Sequence, residues 1–416
     1  MDVDSHEPIV KSRATARSPV ARLFLASGLR AFADGYVSLL LPLYLLELGL
    51  GAFDVGLVTT TTLLGSGVVT LLVGVRAHRY RTSTLLVAAA MLMMCTGLSI
   101  AFVTTLWPLL LIAFVGTLNP SSGDVSVFVP LEHALLSHVV NDEHRTATFA
   151  RYSLTRALAA ACGALAAALP SLVTRIADVS MHEALQGMFV LYALIALVAA
   201  RVYAGLPAPP ARVERRPVAL SAKSRRNVYA LAALFSLDAF GGGFIVQSML
   251  ALWLFERFSL SVAMAGTLFF WTGVFTAFSY LVAARIAKRI GLVNTMVFTH
   301  LPSSLCLLAI PFVPSLAGVV TLLLIRSALS QMDVPTRSSY VMAIVAPHER
   351  PAAASVTSVP RSWAAAISPL VAGYLLGVSS FAWPLLIGGG VKILYDGLLL
   401  LMFRHVRPPE ETPIER

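Results

Sequence analysis

The stretch LLLIRSALSQMDVPTRSSYVMAIV (322–345) carries Arg326, Asp333 and Arg337 inside a run otherwise free of charge. A charged side chain at the centre of a bilayer costs about 2.5–3.5 kcal/mol on insertion scales, so it is retained where it faces a partner or a water-filled cavity. On a helix Asp333 lies two turns from Arg326 and one turn from Arg337, all on roughly one side. Two guanidiniums and one carboxylate leave a net positive site able to pair bidentately with a carboxylate or phosphate on a substrate. The other reading is a charge network that locks the helices together, and both stand at this point. Glu132 poses the complementary question. It is an isolated carboxyl in an apolar stretch, so it is the candidate to bind and release protons, or else a permanent partner of Arg156, Arg151 or Arg337.

Further charges fall at similar depth. Arg30 and Asp34 are four residues apart and share a helix face, as do Lys392 and Asp396, and each pair is expected to neutralise itself. Asp34, Asp124 and Asp238 join Glu132 as proton-coupling candidates. Arg326, Arg337, Asp333, Arg156, Arg361 and Arg30 are the substrate-binding candidates. Asp124 follows NPSSG (119–123) and Asp238 precedes GGG (241–243), and both motifs should interrupt a helix where backbone lines a cavity. His133, His138 and His300 are expected as hydrogen-bonded structural groups, with proton relay as the alternative. Tyr340, Trp253, Trp271 and Trp363 are read as packing or interface rings, with stacking on a substrate as the second use.

These residues are positioned by membrane-spanning helices. Hydrophobic residues make up 57% of the chain and charged residues 12%, with mean hydropathy +0.79, against about 25% charged in soluble domains. Stretches such as LLVAAAMLMMCTGLSIAF (85–102) are apolar on every side, unlike the alternating strands of a barrel. Twelve spans are expected near 20–48, 54–75, 84–103, 107–140, 146–170, 184–204, 227–256, 261–284, 292–312, 316–345, 352–378 and 382–403. They divide the chain into a basic tail (1–19), a first six-helix bundle (20–204), a Pro-rich basic linker (205–226), a second bundle (227–403) and a tail (404–416). The first span is read as a retained signal anchor.

Lys and Arg gather in the tails, the linker and the second and eighth connections, which places both termini on the cytoplasmic side of an inner or plasma membrane. The net charge of +10 is therefore a topology signal with lipid headgroups as partner, and not a nucleic-acid footprint. Cys95, Cys162 and Cys306 have no metal-ligand spacing, so no metal, cofactor or disulfide framework is expected.

Residues 128–165 align without a gap on 333–370. Pro130 meets Pro335, Glu132 meets Arg337, Arg156 meets Arg361, and Asp34 meets Asp238 at nearly the same shift. Two homologous halves follow. On this layout the chain resembles the major facilitator superfamily of secondary transporters along essentially its whole length. Gly74, Ala77 and Arg79 fit the family's basic loop, with His78 in place of its usual acidic residue, and SPLVAG (368–373) is similar to its antiporter signature. The resemblance implies an all-α polytopic protein with twelve transmembrane helices in two pseudo-symmetric bundles, with Asp34 and Asp238 lining a central cavity. It implies Gly74, His78, Arg79, Arg145 and Arg350 as gating-loop residues. It also implies alternating access by a monomer, with proton-coupled export of a small organic compound, drug-like or an organic anion. Proton-coupled uptake of a small metabolite, or a nontransporting sensor or assembly role, is the alternative. No GxxxxGKS phosphate loop, HExxH or GxSxG is present, so the sequence offers no motif for ATP hydrolysis or these enzyme chemistries.

Overall fold

A computed structural model describes residues 19–76, 79–121, 126–139, 142–206, 220–346 and 349–406. The first half contains α1 (Pro19–Glu47), α2 (Ala52–Arg76), α3 (Thr82–Phe102), α4 (Leu106–Val115), α5 (Phe128–Val139), α6 (Asp142–Ala166), α7 (Leu169–Ile176) and α8 (Met181–Ala204). The second contains α9 (Ala222–Gly243), α10 (Gln247–Phe258), α11 (Val262–Ile290), α12 (Leu292–Ala309), α13 (Leu316–Leu329), α14 (Asp333–Ala343), α15 (Arg350–Val378) and α16 (Trp383–Phe403). No strand occurs among the described residues. Serine starts several helices: Ser180, Ser221, Ser261 and Ser315 each accept a backbone N–H of the first turn, filling a donor that a helix start leaves open.

Ten helices or helix pairs among the described residues are long and apolar enough to cross a membrane. The two remaining segments of the expected twelve differ for physical reasons. The segment holding α4 and α5 has a 10-residue apolar first piece and then leaves the helix. α15 is 29 residues long, but its first half is polar, with Arg350, Arg361, three serines and Pro360.

The packing repeats between the halves. α1 packs on α6 and α8, α3 on α8, and α2 on α4; correspondingly, α9 packs on α15 and α16, α12 on α16, and α11 on α13. The halves meet along α2 with α15 and α6 with α11, again a matched pair. Glycine makes these crossings close. A Cβ at Gly56 would fall against the Pro369 carbonyl, and one at Gly266 would lie 2.5 Å from the Ala164 carbonyl oxygen, so backbones touch where lipid gives helices no hydrophobic reason to associate.

The start of α1, the end of α8, the start of α9 and the end of α16 lie at one end of the bundle, here the near side. The apolar core is continuous between the halves only toward the far side. One cluster runs from the first half into Met249–Leu254 of α10, Ala265 and Leu268 of α11, Leu323 of α13 and Ala372 of α15. The near-side part of the second half has its own core, built from Leu231, Phe235, Met296, Tyr340, Tyr395 and Leu399.

Helices are broken between α4 and α5, α9 and α10, and α13 and α14. The freed backbone groups find partners. Ser248 N–H at the start of α10 donates to the Pro120 carbonyl at 3.2 Å, and Ser368 of SPLVAG donates its hydroxyl to the Phe240 carbonyl at 2.6 Å. Such breaks survive at membrane depth only when buried in protein or facing a cavity.

Candidate functional site

Two buried charge clusters lie on the near side of these breaks, one in each half. In the first, Glu132 of α5 is fully buried and accepts hydrogen bonds from Arg30 Nη1 at 3.0 Å and from the hydroxyls of Tyr152 and Tyr203. Arg30 also donates to the Tyr203 hydroxyl at 3.2 Å and to Ser126 Oγ at 3.4 Å. Its guanidinium covers the Phe128 ring, with Cζ 3.5 Å from the centroid, a favourable cation–π placement. Asp34 accepts from Asn119 Nδ2 at 3.4 Å. Arg156 is buried with its guanidinium 5.7 Å from the Tyr152 ring centre, close enough to act electrostatically on Asp34. Glu132 is thus held by three donors, one of them a cation, the kind of pairing that buried charge requires.

The second cluster is more extended. Asp238 of α9 takes Lys392 Nζ at 2.7 Å and Arg337 Nη2 at 3.2 Å, with His300 Nε2 at 3.6 Å. Arg337 also pairs with Asp333, one turn away on α14, and its Cζ stands 5.1 Å from the Phe235 ring centroid. His300 Nδ1 reaches both Asp396 oxygens, at 3.0 and 3.1 Å. Several donors here are unused: Arg337 Nε and Nη1, Arg326 Nε and the Tyr395 hydroxyl are buried without a hydrogen-bond partner among the described residues. An unmet buried donor costs about 1–3 kcal/mol, and native proteins keep such donors few.

The structure brings Arg30, Asp34, Glu132 and Arg156 into one cluster and Asp238, Asp333 and Arg337 into the other. Arg326 belongs with the second through its electrostatic effect on Lys392. Arg361 is exposed on α15 and acts on Tyr395. Among the described residues neither expected pair forms a direct salt bridge, although Asp34 still acts electrostatically on Arg30 and Lys392 on Asp396. Arg30 bonds to Glu132 and Lys392 to Asp238, because partners on adjacent helices offer shorter, better aligned contacts than a fourth residue along the same helix. Asp124 and His78 lie outside the described residues, and Arg145 sits in the first turn of α6 with its side chain likewise outside them. Gly74 is exposed near the end of α2, Arg79 follows in a short turn, and exposed Arg350 donates Nε to the Met342 carbonyl at 3.1 Å. Tyr152 and Tyr203 gave no signal in the sequence, since isolated polar residues in apolar spans are common, and Asn119 stood out only as part of the NPSSG break and not as a partner of Asp34. Trp253 is buried, Tyr340 donates to the Val406 carbonyl at 2.9 Å, and Trp271 and Trp363 are exposed.

At the near end, Glu349 clips α9 to α15. It accepts the Ser221 N–H and the Ser224 hydroxyl, each at 2.6 Å. Those bonds, that from Ser224 foremost, hold its carboxyl down at about 2.

The near-balanced charge buried in two repeated bundles agrees with what this chain is similar to. A Saccharomyces cerevisiae protein, the uncharacterized membrane protein YJR124C, is 23% identical, with 96% of this chain and 97% of that one aligned. Among solved structures, the nucleoside transporter NupG superposes with a TM-score of 0.70 at 14% identity, covering 94% of this chain and all of that one. A bacterial homologue of the human lysosomal transporter Spinster, inward-facing and occupied, gives 0.72 at 14% over 92% of this chain and 96% of that one. The human organic anion transporter MFSD10 gives 0.66 at 18% over 91% and 98%. At these identities the structures show a shared fold. The family model of the Major Facilitator Superfamily matches residues 23–332 and 231–416, and this chain, a multi-pass integral membrane protein, belongs to that superfamily of transporters.

Proposed function

We propose that the protein is a twelve-span secondary transporter that carries a small organic anion by alternating access, coupled to protons. The observation that carries this reading is the set of unused donors on Arg337 and Arg326, a positive, desolvated place suited to a carboxylate or phosphate. The far-side continuity of the core supports a state closed on that side. With the termini cytoplasmic, this is the inward-facing state. In this reading the first cluster anchors its bundle: Glu132, fully engaged by its donors, holds α1, α5, α6 and α8 together, while recognition lies in the second.

Export in exchange for protons is the direction expected from the sequence. Uptake together with protons is the second reading, and the charge of the second cluster favours it. Arg326, Arg337 and Lys392 balance Asp238, Asp333 and Asp396, so one added proton leaves one positive charge for an anion to neutralise. The test is proton movement in everted vesicles carrying the protein, with an imposed pH gradient, as benzoate, succinate, glucose and tetraphenylphosphonium are added in turn. Collapse of the gradient by an anion, absent in Arg337→Gln, supports the site, and the sign of the proton flux assigns direction. A response confined to glucose or to the cation removes it.

A further inference from the structure

His300 differs from the other buried groups of the second bundle because both its ring nitrogens face charged partners on other helices. Nδ1 lies against the Asp396 carboxylate of α16, while Nε2 lies 3.4 Å from Lys392 Nζ and 3.6 Å from Asp238 Oδ1. A carboxylate accepts and does not donate, so Nδ1 carries the hydrogen and this bond fixes the tautomer. The bare Nε2 of the neutral ring then accepts from the Lys392 ammonium, which donates to Asp238 Oδ1 as well. His300 is 3% exposed, so water does not substitute for these partners.

The surrounding groups come from every neighbouring helix. Tyr395 of α16 stands edge-on at 5.9 Å between ring centres. Arg337 of α14 holds the other oxygen of Asp238 and pairs with Asp333. Arg326 of α13 acts on Lys392. α11 carries its charges, Arg285, Lys288 and Arg289, toward its near end.

We propose that His300 carries the coupled proton, and that protonation at Nε2 exchanges partners within the cluster. An imidazolium Nε2–H cannot accept from an ammonium, so Lys392 leaves the ring and Asp238 becomes the acceptor for both. Asp238 then serves the ring, Lys392 and Arg337 with two oxygens. Arg337 is loosened from it, and its unused Nε and Nη1 become free to follow an anion. One proton enters at Nε2, no covalent bond between heavy atoms changes, and the proton leaves when Lys392 returns. Proton and anion occupancy therefore favour one another. The inference rests on the reading of this cluster as a proton-coupled anion site, and its first test needs no anion.

The test uses the full chain in lipid nanodiscs, with histidine labelled with nitrogen-15 and the His300 ring assigned by its disappearance in His300→Gln. The expected result is a ring protonated at Nδ1 alone at the alkaline end of a pH series that gains a second proton at Nε2 toward the acid end. A ring that keeps one form throughout overturns the inference. If His300→Gln fails to fold, Asp396→Asn serves for assignment, since it displaces the Nδ1 signal. In a second measurement, spin labels at exposed Ser153 and Ser358, on a background lacking the three native cysteines, report the near-side separation of α6 and α15. The separation should differ between about pH 5 and about pH 8 in the parent, and the difference should vanish in His300→Gln and in Lys392→Gln, which keeps the ring but removes the group it displaces. Persistence in either variant overturns the proposal. A ring that titrates as expected in a protein that moves no benzoate or succinate keeps the proton site and removes the anion reading.

Discussion

The two bundles share a repeat and a packing plan, yet they spend their buried charge differently. At matched positions the first has Glu132 and the second Arg337, and the partner on the leading helix changes sign with them: Arg30 of α1 in one, Asp238 of α9 in the other. Glu132 is saturated by Arg30, Tyr152 and Tyr203. Arg337 keeps two nitrogens unused, beside a histidine, a lysine and two further acids. A saturated pair gains little by moving. An unsaturated network can exchange partners at small cost, so the same fold yields a fixed half and a responsive half.

The largest expected effect tests the fixed half. Glu132→Ala strips buried Arg30 of its hydrogen-bonded ion-pair partner and should cost about 3–5 kcal/mol, read as a fall in the thermal unfolding temperature of the detergent-solubilised protein. The double variant Arg30→Met with Glu132→Leu should recover part of that loss, because it removes the uncompensated charge while leaving the Tyr152 and Tyr203 hydroxyls without their acceptor. Failure to recover would give the first cluster a role beyond anchoring. Arg337→Gln tests the responsive half: unfolding should change little compared with Glu132→Ala, while anion-driven proton flux falls by about 30-fold or more, the equivalent of about 2 kcal/mol. Equal destabilisation by both variants would erase the contrast between the bundles.

A smaller effect is expected where the halves are alike. Gly56→Val and Gly266→Val each drive a side chain into the opposing backbone, at about 1–3 kcal/mol against the joined far side. Both should increase labelling of Ser248→Cys by a membrane-impermeant thiol reagent, and by similar amounts if the two contacts are equivalent. The smallest effect returns to a difference. Glu349 occupies the repeat position of His144, and its hydrogen bonds hold its carboxyl at about 2 against an ordinary 4.5. A carboxyl held down in the folded protein stabilises it fully above 4.5, and that contribution is lost as pH falls toward 2. The stability advantage of the parent over Glu349→Gln should therefore be constant above about pH 4.5 and decline progressively as pH falls from there toward about 2.

Much of this architecture was legible in the amino acids. Composition and run length demanded membrane helices, and the gap-free match of 128–165 with 333–370 required two related halves. The Asn-Pro and triple-glycine motifs marked places where helices stop, since proline lacks an N–H and glycine gains little from helix formation. The depth of Arg30, Glu132, Asp238 and Arg337 in apolar stretches singled them out, because a charge in hydrocarbon must have a reason.

Partnership was not legible. Periodicity along one helix joins Arg30 to Asp34 and Lys392 to Asp396, but it contains nothing about the rotation of α5 against α1 or of α16 against α9. Those rotations are set by glycine contacts and side-chain packing between segments far apart in the chain, and they carry Tyr203 to Glu132 and His300 to Asp396. The sequence by itself determined a repeated, charge-bearing membrane helix bundle, because hydrophobic length and the cost of buried charge are local properties. Which charges are saturated and which still hold a free donor was decided only by the tertiary structure, because a hydrogen bond depends on distances of a few tenths of an ångström between helices.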